Sequence, residues 1–155
     1  MSFFVRISVV FCLSSGLSYP CSCSPPITAG IASDNADVVF RGTVTALRDV
    51  QEALPNGGAK YTRRIAVFWV SRVWKGRVGP IFEMTAAQEN EPCIGPDPSY
   101  FKVGNDLLVY AKGSPKLGYG IPPCSRTAPA RSAKTDFSEL GQGEEPKQPN
   151  NAKSK

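Results

Sequence analysis

At 155 residues the chain has room for one domain and little more. It contains no histidine, which excludes serine and cysteine triads, histidine general bases and most catalytic zinc sites. Its 18 lysines and arginines exceed its 13 acids by a formal +5, scattered along the chain, an excess that would favour an anionic surface polymer without marking a nucleic-acid binder.

The first stretch, MSFFVRISVVFCLSSGLS, has one early cation (Arg6), an apolar core from Ile7 to Leu13 and small residues behind it. That order is expected of a secretory signal peptide over residues 1–20, with an apolar run too short to span a bilayer. Two cuts stay open. Cleavage after Ser18, with Gly16 two places earlier, fits the small-x-small rule better, whereas cleavage after Pro20 would make Cys21 the first residue. No later segment is apolar enough to cross a membrane, so the mature chain is expected to be a soluble, monomeric protein, periplasmic or fully secreted.

Export governs how the cysteines read. Removing the signal takes Cys12 and leaves Cys21, Cys23, Cys93 and Cys124, an even set that points to two disulfides. A bridge from Cys21 to Cys23 across one residue would be badly strained, so each is tied to a distant partner, Cys93 or Cys124. With both thiols consumed in this way, a redox-active CxC pair is disfavoured.

Residues 24–36, SPPITAGIASDNA, read as a Pro/Gly/Ala-rich lead-in. DVVFRGTVTALRDV then alternates, with Val38, Phe40, Val44 and Ala46 in one phase, which predicts a half-buried strand. LPNGG at Leu54–Gly58 suits a hairpin turn. KYTRRIAVFWVSRVWKGRVG follows, rich in β-branched and aromatic residues; Ala66, Phe68 and Val70 share a phase that Val73 and Trp74 have lost, so a bulge is expected near Ser71–Arg72. IFEMTAA, FKVGNDLLVYAKG and LGYGIPPCSRT supply three more strands, separated first by the loop ENEPCIGPDPSY, which holds Cys93. PARSAKTDFSELG predicts a helix stopped by Gly141, and residues 141–155 lack the apolar side chains to be anything but a disordered tail. Five strands and a late helix fit an all-β class, a five-stranded OB-fold barrel over residues 21–140.

Trp69 and Trp74 read as core or barrel-surface aromatics, and Arg63, Arg64, Arg72, Lys75 and Arg77 as solvated strand faces. Glu89, Glu91 and Asp97 flank a loop with nothing nearby to support hydrolase chemistry, and read as surface charge.

CSCSP at Cys21–Pro25 and NADVVFRGTV at Asn35–Val44 resemble the start of the tissue inhibitors of metalloproteinases. VSRVWKG at Val70–Gly76, PCIG at Pro92–Gly95, VGNDLLVYAKG at Val103–Gly113 and CSRT at Cys124–Thr127 continue the resemblance, which covers the family's N-terminal netrin-like domain from Cys21 to about Leu140. CxC alone is a weak signal; CxC followed in order by NADVV and VWKG is specific. The resemblance implies an OB-fold barrel whose N-terminus is tied down by bridges Cys21–Cys93 and Cys23–Cys124. It also implies inhibition of zinc metalloendopeptidases without catalysis: the α-amine and carbonyl oxygen of Cys21 chelate the protease's zinc, and Ser22 enters the pocket beside it. Cys23, Ser24 and Pro25, with Glu91, Pro92 and Cys93 alongside, would complete the contact. No cofactor of its own is implied, since the zinc belongs to the target.

Two differences from the family stand out. Asp34 occupies the place of a cysteine that forms a third bridge in vertebrate members, and the residues after 140 do not resemble the family's second disulfide-rich domain. A different expectation survives beside inhibition: an exported, non-inhibitory OB-fold module that binds a protein or a polyanion. Tyr19 or Cys21 as the mature first residue separates the two.

Overall fold

A computed structural model of the chain describes residues 28–53, 57–86, 96–122 and 124–147. Strands β1 (Val38–Ala53), β2 (Lys60–Lys75), β3 (Ile81–Thr85), β4 (Asp106–Ser114) and β5 (Gly118–Gly120) form one closed circuit. β1 pairs antiparallel with β2, β2 with β3, and β4 with both β5 and β1, while β3 and β5 meet in parallel. Closing the circuit disposes of the free sheet edges that would otherwise template aggregation. This is the five-stranded, OB-like, all-β barrel expected from the strand count, and helix α2 (Lys134–Leu140) follows it. A two-residue strand, β6 (Ala128–Pro129), adds to β4 at Leu107–Leu108.

Bulges bend the long strands enough to close so small a barrel. Gly42 opposes Val70 and Arg41 opposes Arg72, so Ser71 is the extra residue, where the broken alternation placed it. A second bulge at Trp74 lies between the Phe40–Val73 and Val39–Lys75 pairs. A third, at Thr45, was not legible: it shifts the phase of β1 so that Ala46 is exposed and Leu47 packs against the core instead. Beyond the barrel's rungs, Asp49–Ala53 and Lys60–Arg64 continue as a two-stranded arm. Its turn lies partly outside the described residues.

Apolar side chains form two clusters, one on each face of the wall. Inside, Phe40, Phe68, Phe82, Met84, Leu107 and Val109 fill the barrel. Outside, Val39, Leu108 and Tyr110 are covered by Ala32 and Ala36 from one helix and its cap, by Ala133, Phe137 and Leu140 from another and its cap, and by Trp74 of β2. β4 is therefore buried on both faces, which explains why both of its phases are apolar.

The first of those helices, α1 (Ala29–Asn35), lies in what the composition marks as a mere lead-in. It is too short for a periodic signal and contains Gly30, yet Ala29, Ala32 and Ala36 are buried and let it approach the barrel closely. Thr28 caps it by accepting from the Ile31 N–H at 3.2 Å, and the Ala29 N–H donates to Glu139 Oε2 at 2.8 Å.

Two strands are shorter than expected. Residues 102–105 turn before β4 starts at Asp106, with the Gly104 N–H donating to Val44 O at 2.8 Å, and β5 spans only three residues. The expected tail needs correction over residues 141–147, while residues 148–155 lie outside the described residues. Residues 141–147 are ordered: Glu144 exchanges both backbone hydrogen bonds with Val73 (2.9 and 2.7 Å), and the Lys147 N–H reaches Val78 O at 3.1 Å. Composition misses this because the contact is main-chain, asking nothing of the side chains. Gly141, at φ 75°, ends α2 in the left-handed region where glycine costs least.

Candidate functional site

The protease-contacting residues named from the sequence, Cys21, Ser22, Cys23, Ser24, Pro25, Glu91, Pro92 and Cys93, lie outside the described residues, as does the signal peptide over residues 1–20. The described residues show the end of the barrel from which two of the relevant segments depart. Gly120 of β5 pairs with Thr85 of β3 and with Lys112 of β4. The chain that leaves β3 after Ala86 and the chain that runs from β5 to Cys124 thus start from adjoining rungs.

Cys124 is disulfide-bonded. It is the only cysteine among the described residues. At φ 59° it occupies the left-handed region, a cost of about 1–2 kcal/mol for a residue with a Cβ. The surrounding turn fixes it there: the Ser125 N–H donates to Pro122 O at 3.2 Å, and Ser125 Oγ donates to Tyr110 O at 3.1 Å.

The rest of the CSRT segment ties the wall of the barrel to α2. Thr127 Oγ1 accepts from the Tyr110 N–H at 2.9 Å. Arg126 Nε donates to Asp136 Oδ2 at 3.0 Å, its Nη2 donates to Oδ1, and Tyr110 OH donates to Oδ2 at 2.8 Å. Asp136 is only 5% exposed. Burial pushes its carboxyl up, but the hydrogen bonds from Arg126 and Tyr110 and the guanidinium's charge outweigh that and hold it below the ordinary value. Burial first, then the bond to Asp136, raises the Tyr110 phenol. No local motif marks Asp136, because the groups that make it matter are ten and 26 residues away in the chain.

VWKG has a similar task on the other side. Val73 enters the core, and Trp74 packs on Phe137 (centroids 5.5 Å apart) while its indole N–H donates to Gly141 O at 2.9 Å. Lys75 is not a solvated cation: its Nζ donates to Ser33 O at 2.7 Å and Asp34 O at 3.0 Å, closing the C-terminal end of α1. Gly76 sits at φ 81°, and a Cβ there would lie 2.5 Å from Asp37 O, so no larger residue fits. Lys75→Met, which keeps the stem and removes the charge, should cost about 1 kcal/mol through lost caps on α1, read as a lower urea midpoint with an unchanged slope.

The other cations read as solvated are partly committed too. Arg63 pairs with Glu52 and donates to Thr85 Oγ1 at 3.2 Å, and Arg64 pairs with Asp49 at 2.8 Å. Asp97 accepts from the Ser99 N–H at 2.8 Å and starts a 3-10 turn over Pro98–Tyr100. Trp69 is a barrel-surface aromatic, 56% exposed and directly opposite Ile81 at 54%.

Among the described residues there is no cluster of histidine, cysteine, aspartate or glutamate that could hold a metal, and no helix long and apolar enough to cross a membrane. No protein-family model matches the chain, and no curated protein matches it significantly.

Proposed function

We propose that this protein is an exported inhibitor of zinc metalloendopeptidases that uses its own mature N-terminus as the zinc ligand. Cys21 supplies the amine and carbonyl oxygen, Ser22 enters the adjacent pocket, and Cys23, Ser24, Pro25, Glu91, Pro92 and Cys93 form the surrounding contact. An α-amine is partly unprotonated near neutral pH, so its lone pair is available to a zinc ion that would otherwise hold water. Bridges to Cys93 and Cys124 would fix the terminus before docking, so little ordering entropy would be lost.

One observation carries this reading. Cys124 is disulfide-bonded on a turn that Ser125 ties to Pro122 and to Tyr110 of β4, in the segment that leaves β5 of an OB-like barrel. A bridge at that place is what a braced N-terminus requires. In the described part of the resembling segments, NADVV, VWKG, VGNDLLVYAKG and CSRT hold the barrel and its helices together; they support the domain, while the inhibitory chemistry rests on the residues from Cys21 onward.

Mass-spectrometric identification of the first residue of the exported protein is the first test, with Cys21 expected. The second is inhibition of a zinc metalloendopeptidase before and after one alanine is added ahead of Cys21. The added residue turns the amine into an amide, and inhibition should be lost. Tyr19 as the first residue, or inhibition that survives the alanine, overturns the proposal.

A non-inhibitory binding module is favoured by one feature, the exposed Trp69–Ile81 pair on the outer wall. It would act on a protein partner. The polyanion version has less support, since Arg48, Arg63, Arg64 and Arg126 are already matched to carboxylates.

A further inference from the structure

We propose that a cleft beside the Arg41–Asp106 ion pair is a binding site for a small organic monocarboxylate with an apolar body. The cleft has a volume of about 480 Å³ and opens between the turn that precedes β4 and the segment running from β6 into α2. That size lies within the range of small-molecule sites.

Arg41 forms part of the lining. Asp106 Oδ2 accepts from both its Nε at 2.9 Å and its Nη2 at 2.6 Å, and its guanidinium carbon lies 5.5 Å from the centroid of the Phe137 ring. The group is thus oriented before any ligand arrives, and Nη1 donates to no described residue. An arginine locked on one edge with the other unspent can accept an anion at small entropic cost.

Charge fixes the class of ligand. Arg41 is matched by Asp106, and Arg131, exposed at the rim, brings one further cation. With a net charge of +1 in the lining, a single negative charge is balanced, whereas a dianion such as phosphate would meet Asp106 without a second compensating cation. Phe137, Tyr100 and Pro129 provide apolar surface for the remainder of the molecule. This inference does not depend on the inhibitory reading, which uses none of these residues.

The test uses the full exported chain, labelled with nitrogen-15, and benzoate as the probe. Benzoate should shift the amides of Tyr100, Asp106 and Arg131 in a saturable way. Benzamide, of the same shape without the charge, should not at equal concentration, and inorganic phosphate should bind more weakly than benzoate. Arg131→Gln, on an exposed residue, should weaken benzoate about tenfold, as befits the loss of a charge-assisted hydrogen bond. Equal shifts from benzoate and benzamide, phosphate binding as strongly as benzoate, or an Arg131→Gln protein that binds benzoate unchanged would each overturn the proposal.

Discussion

Phe40→Ala should destabilise the barrel by about 4 kcal/mol, lowering its thermal midpoint by about 15 °C. Phe40 is fully buried and sits where the interior is most aromatic. Its ring meets Phe68 edge-on at 5.3 Å and Phe82 at 5.0 Å; Phe68 in turn meets Phe101, and Phe82 meets Tyr119. These contacts join β1, β2, β3 and β5 across the lumen, so truncation would leave a void that no single neighbour can fill. The strand around Phe40 has little freedom to relax inward. It is paired on both sides, to Val73 of β2 and Val109 of β4, and Gly42 is already so close that an added Cβ would lie 3.3 Å from the Phe40 ring. Phe40→Leu should cost less than half as much, because most of the volume is kept. Urea unfolding of the disulfide-intact protein reads both values. A loss below about 1.5 kcal/mol for the alanine variant would mean that the interior collapses around the gap rather than holding its shape.

That interior was largely legible from residue order. Alternation in β1 and β2 placed Phe40 and Phe68 in the inward phase of their strands, and the slip before Val73 marked the Ser71 bulge. What stayed hidden has a common cause. Alternation registers a side chain that faces water, but Val39, Leu108 and Tyr110 face helices, so the outer apolar cluster looked like extra strand rather than a second packing layer. Thr45 is a polar bulge residue inside an alternating run and leaves no break in the pattern. The segment from Gly141 to Lys147 is held through backbone groups, which composition cannot weigh. The site divides along the same line. Arg41 and Asp106 are 65 residues apart and meet only because β1 and β4 close the barrel, so no local motif could have announced the cleft between them. The CxC terminus, by contrast, can be read only as sequence, since its chemistry depends on which peptide bond is cut.

Asp136→Asn should cost about 3 kcal/mol at neutral pH, and the cost should shrink in acid. The amide would keep the shape and could still accept from Tyr110, but it would turn an N–H₂ group or a single carbonyl toward the Arg126 guanidinium, leaving buried donors facing each other. The pH dependence follows from the direction of the shift. The folded carboxyl titrates below its unfolded value of about 3.9, so its contribution is fully present above that value and is lost as pH falls through the lower, folded value. The asparagine variant has no such proton to bind. Plotted against pH, the two stabilities should therefore run parallel from neutrality to about pH 5 and converge below it. Taking the difference between the curves removes Asp49, Glu52 and Asp97, whose carboxyls are also held low and titrate in both proteins. Convergence would show that Arg126 and Tyr110 act on the ionised form of Asp136. Curves that stay parallel down to about pH 2 would show instead that the residue holds α2 to the wall by shape alone, with its charge incidental.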